Sequence, residues 1–148
     1  MLFNPSEFIL NETISLIRHF INSNEGNEIL MLGKTNENGL VYDAELVAMG
    51  NESMVPAVLK KASPGDILIH NHPSGDIRPS EADLHIASIA ADKRIGSYIV
   101  DNTVSRLFPV VKWIPPEKTE LTPVENEEVH AILNENGLLK QLYPEYEY

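Results

Sequence analysis

The sequence predicts a single α/β domain in which helices flank a sheet. Three observations predict it. The chain has 148 residues, of which 43% are hydrophobic, enough for the core of one ordinary domain. Apolar runs typical of strands alternate with segments of helical periodicity, an order that favours an α/β sandwich. The sequence shows no internal repeat and no low-complexity tract.

The N-terminal third predicts one helix followed by a strand hairpin. Residues 6–22 carry apolar side chains at helical spacing, and Ser6 is a suitable N-cap. Residues 28–34 form a short apolar run. The turn-rich sequence NENG at 36–39 separates that run from a second one at 40–50. Two such runs around a polar turn are typical of a β-hairpin.

The middle of the chain predicts two helices around one buried strand. Residues 53–62 have the composition of a helix, with a proline that the first helical turn tolerates. A short apolar strand is predicted at 67–69, and His70 follows it directly. After a loop, Ser80 begins a third helix that extends to about Lys93.

The last part of the domain predicts a pair of strands at 97–100 and 104–111, and Pro109 implies an edge position or a bulge. A Pro-rich stretch follows, and Thr122-Pro123 begins a final helical pattern. We therefore expect three segments along the chain: a domain over 1–113, a linker over 114–122, and a C-terminal helix with a tail over 123–148.

Charge and composition exclude several classes of function. The formal net charge is −11, which disfavours nonspecific nucleic-acid binding because such binding relies on Lys and Arg displacing counterions. The absence of cysteine excludes disulfides, thiolate nucleophiles and Cys-ligated zinc. The N-terminus lacks the pattern of a signal peptide, and no apolar stretch approaches membrane-spanning length. We therefore expect a cytoplasmic protein that is not bound to a membrane.

The segment that carries chemistry is HNHPSGDIRPSEAD at residues 70–83. His70 and His72 lie two residues apart at a strand end, so both imidazoles project to the same side. Asp83 lies in the first turn of the following helix and can complete a set of two nitrogens and one oxygen. Such a set leaves a fourth position open for water and suits zinc better than magnesium or calcium.

Each part of this pattern also has an ordinary structural explanation. Histidines at a strand end are often only hydrogen-bonded. Ser80 and Asp83 have the spacing of a capping box, in which the carboxylate stabilises its own helix. The sequence Pro-Ser-Gly-Asp is also a common turn. All of these features fall within fourteen residues, and their joint occurrence favours a metal site.

The combined spacing resembles the JAMM motif of the JAB/MPN metallopeptidases. The sequence HNHPSGD is more similar to the bacterial RadC branch, because Asn71 stands where the deubiquitinating branch usually has Ser or Thr. The resemblance covers roughly residues 25–112. It implies a JAB/MPN fold, a mixed sheet flanked by helices as in cytidine deaminases, with Zn²⁺ as cofactor. Five residues match the motif: His70, His72, Pro73, Ser80 and Asp83.

The resemblance also implies a catalytic glutamate on an early strand, well before the first histidine. A carboxylate is needed there to move a proton from the attacking water to the leaving amine. Glu28 precedes the apolar run ILML and is the preferred candidate, while Glu25 and Glu45 are alternatives. A solvent-exposed glutamate at a strand end without a catalytic role is the competing interpretation. Ser80 would, by the same resemblance, donate a hydrogen bond to the developing oxyanion.

A second, narrower resemblance concerns residues 96–111, the Pro-rich segment and the terminal Tyr146-Glu147. Together they are similar to the JAB domain at the N-terminus of some bacterial DinG-like DNA helicases. This likeness implies a partner in helicase or DNA repair machinery. The sequence contains no P-loop of its own, so it predicts no ATPase activity in these residues.

Two hypotheses for function follow. The first is a zinc metallopeptidase or isopeptidase that acts on a protein or peptide, including a ubiquitin-like conjugate. The alternative is a non-catalytic, RadC-like interaction module of a DNA repair or helicase protein, and the acidic charge favours protein partners over DNA for it. A deaminase is disfavoured because those zinc sites use a Pro-Cys-x-x-Cys element, and this chain has no cysteine.

Overall fold

The computed structural model describes residues 2–49 and 55–116, which form a five-stranded sheet with helices on both faces. The predicted α/β class is confirmed. None of the helices in these two ranges has the length and apolar character needed to cross a bilayer. The elements are a 3₁₀ helix at Pro5–Glu7, α1 at Asn11–Ser23, β1 at Leu30–Thr35, β2 at Val41–Ala48, α2 at Val55–Lys61, β3 at Ile67–Asn71, α3 at Glu81–Asp92, β4 at Gly96–Val100 and β5 at Leu107–Val111.

The sheet has the strand order β2-β1-β3-β4-β5. The β3 and β4 strands are parallel, and every other neighbouring pair is antiparallel, so the sheet is mixed. Two parallel neighbours need a long crossover connection, and α3 provides it. The crossover returns the chain from the end of β3 to the start of β4, so the loop before α3 passes over the end of β3 where His70 lies.

Helices cover both faces of the sheet. Alternate residues of each central strand point to opposite sides, so each strand contributes to both cores. Met31 of β1 packs on the α1 side, whereas its neighbours Leu30 and Leu32 pack on the side of α2 and α3. Fully burying one such side chain contributes roughly 1.5–3 kcal/mol. The core on the α1 side includes Ile14, Ile17, Ile21, Ile67 and Ile69, and the core on the other side includes Val58, Leu59, Leu68, Ala90 and Ile95.

The predicted helix over 6–22 is wrong at its N-terminal end. Asn4 caps a separate 3₁₀ helix and accepts a hydrogen bond from the amide of Ser6, so Ser6 does not cap α1. The Leu10 amide then donates to the carbonyl of Val41 in β2, and the Phe8 carbonyl accepts from the Val41 amide. These two bonds hold residues 8–10 out of the helix. The long helix therefore begins only at Asn11. A tertiary pairing prevails here over local helical periodicity.

The second half agrees with the predicted elements except at the last strand. That strand was expected over 104–111 but begins at Leu107, because the preceding residues form a turn around Asp101. The edge position or bulge implied by Pro109 is confirmed, since β5 is an edge strand and its pairing with β4 shifts register beside that proline. The predicted linker beyond residue 116 and the predicted helix and tail over 123–148 lie outside the described residues.

Asp101 organises the β4–β5 turn as a buried hydrogen-bond acceptor. Its carboxylate accepts bonds of 2.8 Å from both the amide and the hydroxyl of Ser105, and one of 3.1 Å from the amide of Arg106. Burial alone would raise the pKa of Asp101, but these hydrogen bonds outweigh it and hold the pKa below the ordinary value of 3.8. The folded protein is therefore stabilised by the ionised form.

We predict that Asp101→Asn lowers the free energy of unfolding at pH 7 by about 1–2 kcal/mol, because the amide replaces one acceptor oxygen with a donor. A carboxyl whose pKa is lowered by folding contributes fully above its unfolded value and loses that contribution as the pH falls toward the folded value. The difference between wild type and variant should therefore shrink as the pH falls below 3.8. Urea titrations at pH 7 and pH 3 measure this difference.

The control for this prediction is Asp92→Asn, which changes an exposed carboxylate at the end of α3. It should alter the free energy of unfolding by less than about 0.5 kcal/mol. An Asp101→Asn effect that stays the same at both pH values would contradict the role assigned to the carboxylate charge.

Candidate metal centre

Three side chains converge where β3 ends and α3 begins. The Nε2 atoms of His70 and His72 lie 3.2 Å apart. His70 Nε2 is 3.2 Å from Oδ1 of Asp83, and His72 Nε2 is 3.1 Å from its Oδ2. Among the described residues, these three form the group whose ligand atoms are close enough to share one metal ion. The structure therefore brings together the three residues predicted as metal ligands.

Asp83 also forms the capping box that the sequence offered as its ordinary explanation. Its amide donates to Oγ of Ser80 over 3.1 Å, and its Oδ2 accepts from the Ser80 amide over 2.9 Å. The two explanations are compatible because a carboxylate has several lone pairs. The cap fixes the carboxylate rotamer and leaves Oδ1 directed at His70, so helix capping and ligand positioning are the same interaction.

The electrostatics of the site favour the ionised carboxylate. Burial alone would raise the pKa of Asp83, but hydrogen bonds from His70 and from the Ser80 amide hold the pKa well below its ordinary range. The side chains of His70, His72 and Asp83 are only 17%, 15% and 15% exposed. Partial exposure leaves the site open to solvent on one side, as an exchangeable fourth ligand would require.

The loop after β3 orients the second histidine. Nδ1 of His72 lies 2.9 Å from the carbonyl oxygen of Asp76, and since a carbonyl can only accept, Nδ1 carries the proton. Nε2 is then the lone-pair nitrogen, the form that a metal ligand needs. The carboxylate of Asp76 pairs with Arg78 at 2.7 and 2.9 Å, and this hydrogen bonding lowers the pKa of Asp76 to about 2.

Glu28, the predicted catalytic residue, lies outside this metal-binding group. It is exposed and precedes β1 by two residues instead of opening the strand. Leu30 pairs with His70 in antiparallel register, and continuing that register by two residues would place Glu28 across from His72. The hydrogen bond from the Ile29 amide to Asn71 keeps the backbone next to Glu28 at the end of β3 that carries His70.

The two alternative glutamates have different surroundings. Glu45 lies on β2, which β1 separates from the histidine strand, and it forms an ion pair with Lys61 of α2. Glu25 is exposed in the turn after α1, where its backbone has a φ of 61°. Neither belongs to the metal-binding group of the described residues. The hydrogen bond that links the Glu28 segment to Asn71 of β3 favours Glu28 over both.

Asn71 is a site residue whose structural role the sequence reasoning missed. Asn71 lies between the two histidines in the sequence, and its side chain is fully buried on the opposite face of β3. Oδ1 accepts a 2.8 Å hydrogen bond from the Ile29 amide, and Nδ2 donates to the carbonyl of Asn27 and to Asn102. An asparagine at a core-facing position of a buried strand was the available signal, since such a group must be hydrogen-bonded.

The other histidines that the structure describes are exposed. His19 lies on α1, 3.5 Å from the hydroxyl of Ser23, and His85 lies on the outer side of α3. His130 lies outside the described residues. His85 shares the helix of Asp83 but not the metal-binding group, so it is a natural control position.

The fold and the histidine–aspartate group together define a JAB/MPN-type α/β domain. The sequence model of the RadC-like JAB domain family matches residues 16–101, more than half of the chain. The chain belongs to the RadC-like JAB domain family. This match confirms the predicted branch, whereas the narrower likeness to DinG-like helicases stays a prediction.

Two curated relatives are similar over parts of the sequence. A UPF0758 protein of Pelodictyon phaeoclathratiforme is 33% identical over 73 residues, which is 44% of this chain and 33% of that protein. A UPF0758 protein of Syntrophomonas wolfei subsp. wolfei is 44% identical over 48 residues, which is 31% of this chain and 20% of that protein. The chain therefore matches a third or less of the length of these relatives.

We predict that Ser80→Ala lowers the free energy of unfolding by about 1 kcal/mol, because it removes the oxygen that caps the amide of Asp83. Ser88→Ala is the matched control, since Ser88 is exposed within the same helix and its replacement should be neutral or slightly stabilising. Thermal unfolding of both variants measures the difference. Equal effects of the two substitutions would contradict a capping role for Ser80.

Proposed function

We propose that this chain is a zinc-dependent peptidase or isopeptidase that hydrolyses an amide bond. The observation that carries the proposal is the convergence of His70, His72 and Asp83, of which His72 and Asp83 are also held by contacts that suit a metal ligand. Two imidazoles and one carboxylate, with an open side toward solvent, are the donor set of many catalytic zinc sites. Membership of the RadC-like JAB domain family supports the same assignment.

The spacing of the donor atoms fits zinc. Ligands that a tetrahedral zinc ion holds at about 2.0–2.1 Å are separated from one another by about 3.3 Å. The two histidine nitrogens are 3.2 Å apart, and each lies 3.1–3.2 Å from an oxygen of Asp83, His70 from Oδ1 and His72 from Oδ2, so these spacings are close to that value. Magnesium and calcium prefer sets made of oxygen alone, so two imidazoles argue against them. Zinc bound there would lower the pKa of a coordinated water to about 7 and polarise the substrate carbonyl.

The chain's own groups would supply the remaining chemistry. Glu28, an exposed carboxylate at the same end of the sheet, would accept a proton from the attacking water and pass it to the leaving amine. The Ser80 oxygen accepts from the Asp83 amide, and its hydroxyl proton remains available to donate to the oxyanion of the substrate. Ser80 would thus combine capping with stabilisation of the developing charge.

The substrate that we propose is a protein or peptide, including a conjugate with a ubiquitin-like protein. The net charge of −11 opposes binding of a nucleic-acid backbone and is compatible with protein partners. An association with DNA repair or helicase machinery is the corresponding proposal for partners. Stoichiometric metal without cleavage of any peptide would favour the interaction-module alternative over the peptidase.

We predict that the wild-type chain binds one zinc ion and that His72→Ala loses it, because two remaining ligands hold zinc far more weakly than three. Zinc bound only by the folded state should raise the midpoint of thermal unfolding of wild type and leave that of His72→Ala unchanged. His85→Ala is the matched control and should retain both the metal and the thermal shift. Metal analysis after gel filtration, together with calorimetry, measures these outcomes, and full zinc content in His72→Ala would contradict the ligand assignment.

We predict that Glu28→Gln retains zinc but loses turnover by at least about 100-fold, because the amide cannot take up the proton. Mass spectrometry of a peptide library incubated with each variant measures turnover. Glu25→Gln and Glu45→Gln are matched controls that should keep activity close to wild type. Activity retained in Glu28→Gln but lost in one of the controls would transfer the role to that residue.

A further inference from the structure

Hydrogen bonds from two asparagine side chains, Asn71 of β3 and Asn102 of the β4–β5 turn, hold the segment that carries Glu28. Regular pairing between β1 and β3 ends at Leu30 and His70. At the next position the backbone of β3 no longer provides the partner, and the Ile29 amide donates instead to Oδ1 of Asn71 over 2.8 Å. The Asn71 side chain thus replaces one backbone acceptor at the end of the β1–β3 pairing, at the residue next to Glu28.

Asn102, in the β4–β5 turn, extends this connection. Nδ2 of Asn71 donates to Oδ1 of Asn102 over 2.7 Å and to the Asn27 carbonyl over 3.1 Å. Nδ2 of Asn102 donates in turn to the Gly26 carbonyl over 2.9 Å. The two side chains therefore hold the backbone on the N-terminal side of Glu28 at Gly26 and Asn27, and on its C-terminal side at Ile29.

The β4–β5 turn also reaches the other half of the site. The guanidinium of Arg106 donates to the carbonyl of Gly75, in the loop that orients His72. The buried carboxylate of Asp101 fixes the turn itself through hydrogen bonds to its residues. The β4–β5 turn therefore contacts both the Glu28 segment and the histidine loop.

We propose that Asn71 and Asn102 are positioning residues that fix the carboxylate of Glu28 relative to the metal ligands. The inference rests on the proposed function, in which Glu28 transfers the proton. The side chain of Glu28 is exposed and has no burial to fix it, so its placement depends on how firmly its backbone is held. Substituting a residue that orients the reacting groups typically costs 10–100-fold in activity or metal affinity, and here the loss should fall on turnover.

Cobalt(II) bound to the full chain in place of zinc provides a test that does not need a substrate. The ion broadens and shifts the NMR signal of a ¹³C-labelled Glu28 carboxyl to an extent that falls steeply with distance. We expect a strong effect in wild type and at least a twofold weaker one in Asn102→Ala. The signals of the His70 and His72 rings should stay the same. Hydrogen exchange at the Ile29 amide should also become faster in Asn71→Ala.

Two further variants separate positioning from a general loss of stability. Asn102→Asp retains the acceptor for Asn71 but loses the donor to Gly26, so it should weaken the Glu28 signal change as Asn102→Ala does. Asn38→Ala changes an exposed asparagine in the turn at the far end of β1 and should match wild type. An unchanged Glu28 signal in both Asn102 variants, with cobalt still bound, would overturn the inference while leaving the proposed function intact.

Turnover gives an independent test through a double-mutant cycle. Asn102→Ala should lower kcat about tenfold in the wild-type background and by less than about twofold in the Glu28→Gln background, because it acts through Glu28. Equal losses in both backgrounds would reduce Asn102 to a structural role and overturn the inference. A chain that binds cobalt and shows the NMR effects but cleaves no peptide would refute the peptidase and leave the positioning role standing. A chain that binds no cobalt would refute both.

Discussion

The crossover from β3 through α3 to β4 sets the relative positions of His70, His72 and Asp83, the three candidate metal ligands. Two parallel strands cannot be joined by a tight turn, so the chain must leave the end of β3, pass through a loop and return along a helix. That route brings the first turn of α3 above the last residues of β3. His70 near the end of the strand, His72 just after it and Asp83 on the helix meet for this reason, although His70 and Asp83 are thirteen positions apart along the chain.

Local interactions at the site serve structure and chemistry at once. The capping box of α3 satisfies two backbone groups at the helix start, and the same contacts orient the carboxylate of Asp83. The carbonyl of Asp76 closes its turn onto His72 and determines which ring nitrogen is free. The same few contacts thus serve both the fold and the arrangement of the candidate ligands. A substitution of Asp83 would therefore affect the stability of the helix start together with the proposed metal site.

Among the residues that the structure describes, five polar or charged ones are buried, and two of them, Asn71 and Asp101, lie near the site. Asn71 and Asp101 are buried and make several hydrogen bonds each, which offset the cost of removing polar atoms from water. Their partners connect the histidine strand, the Glu28 segment and the β4–β5 turn. The hydrophobic core fixes the layers of the fold, whereas these polar contacts fix the relative positions of the loops.

The amino-acid sequence alone determined the fold class, the order of most elements and the three predicted metal ligands, because strand alternation, helix capping and ligand spacing are all properties of neighbouring residues. It could not determine where α1 begins, since the bonds to Val41 that keep the preceding residues extended come from a distant strand. It likewise gave no role to Asn71, whose partners lie more than thirty residues away. Only the tertiary structure decided these features, because each depends on hydrogen bonds between segments that the folded chain, and not the local sequence, brings together.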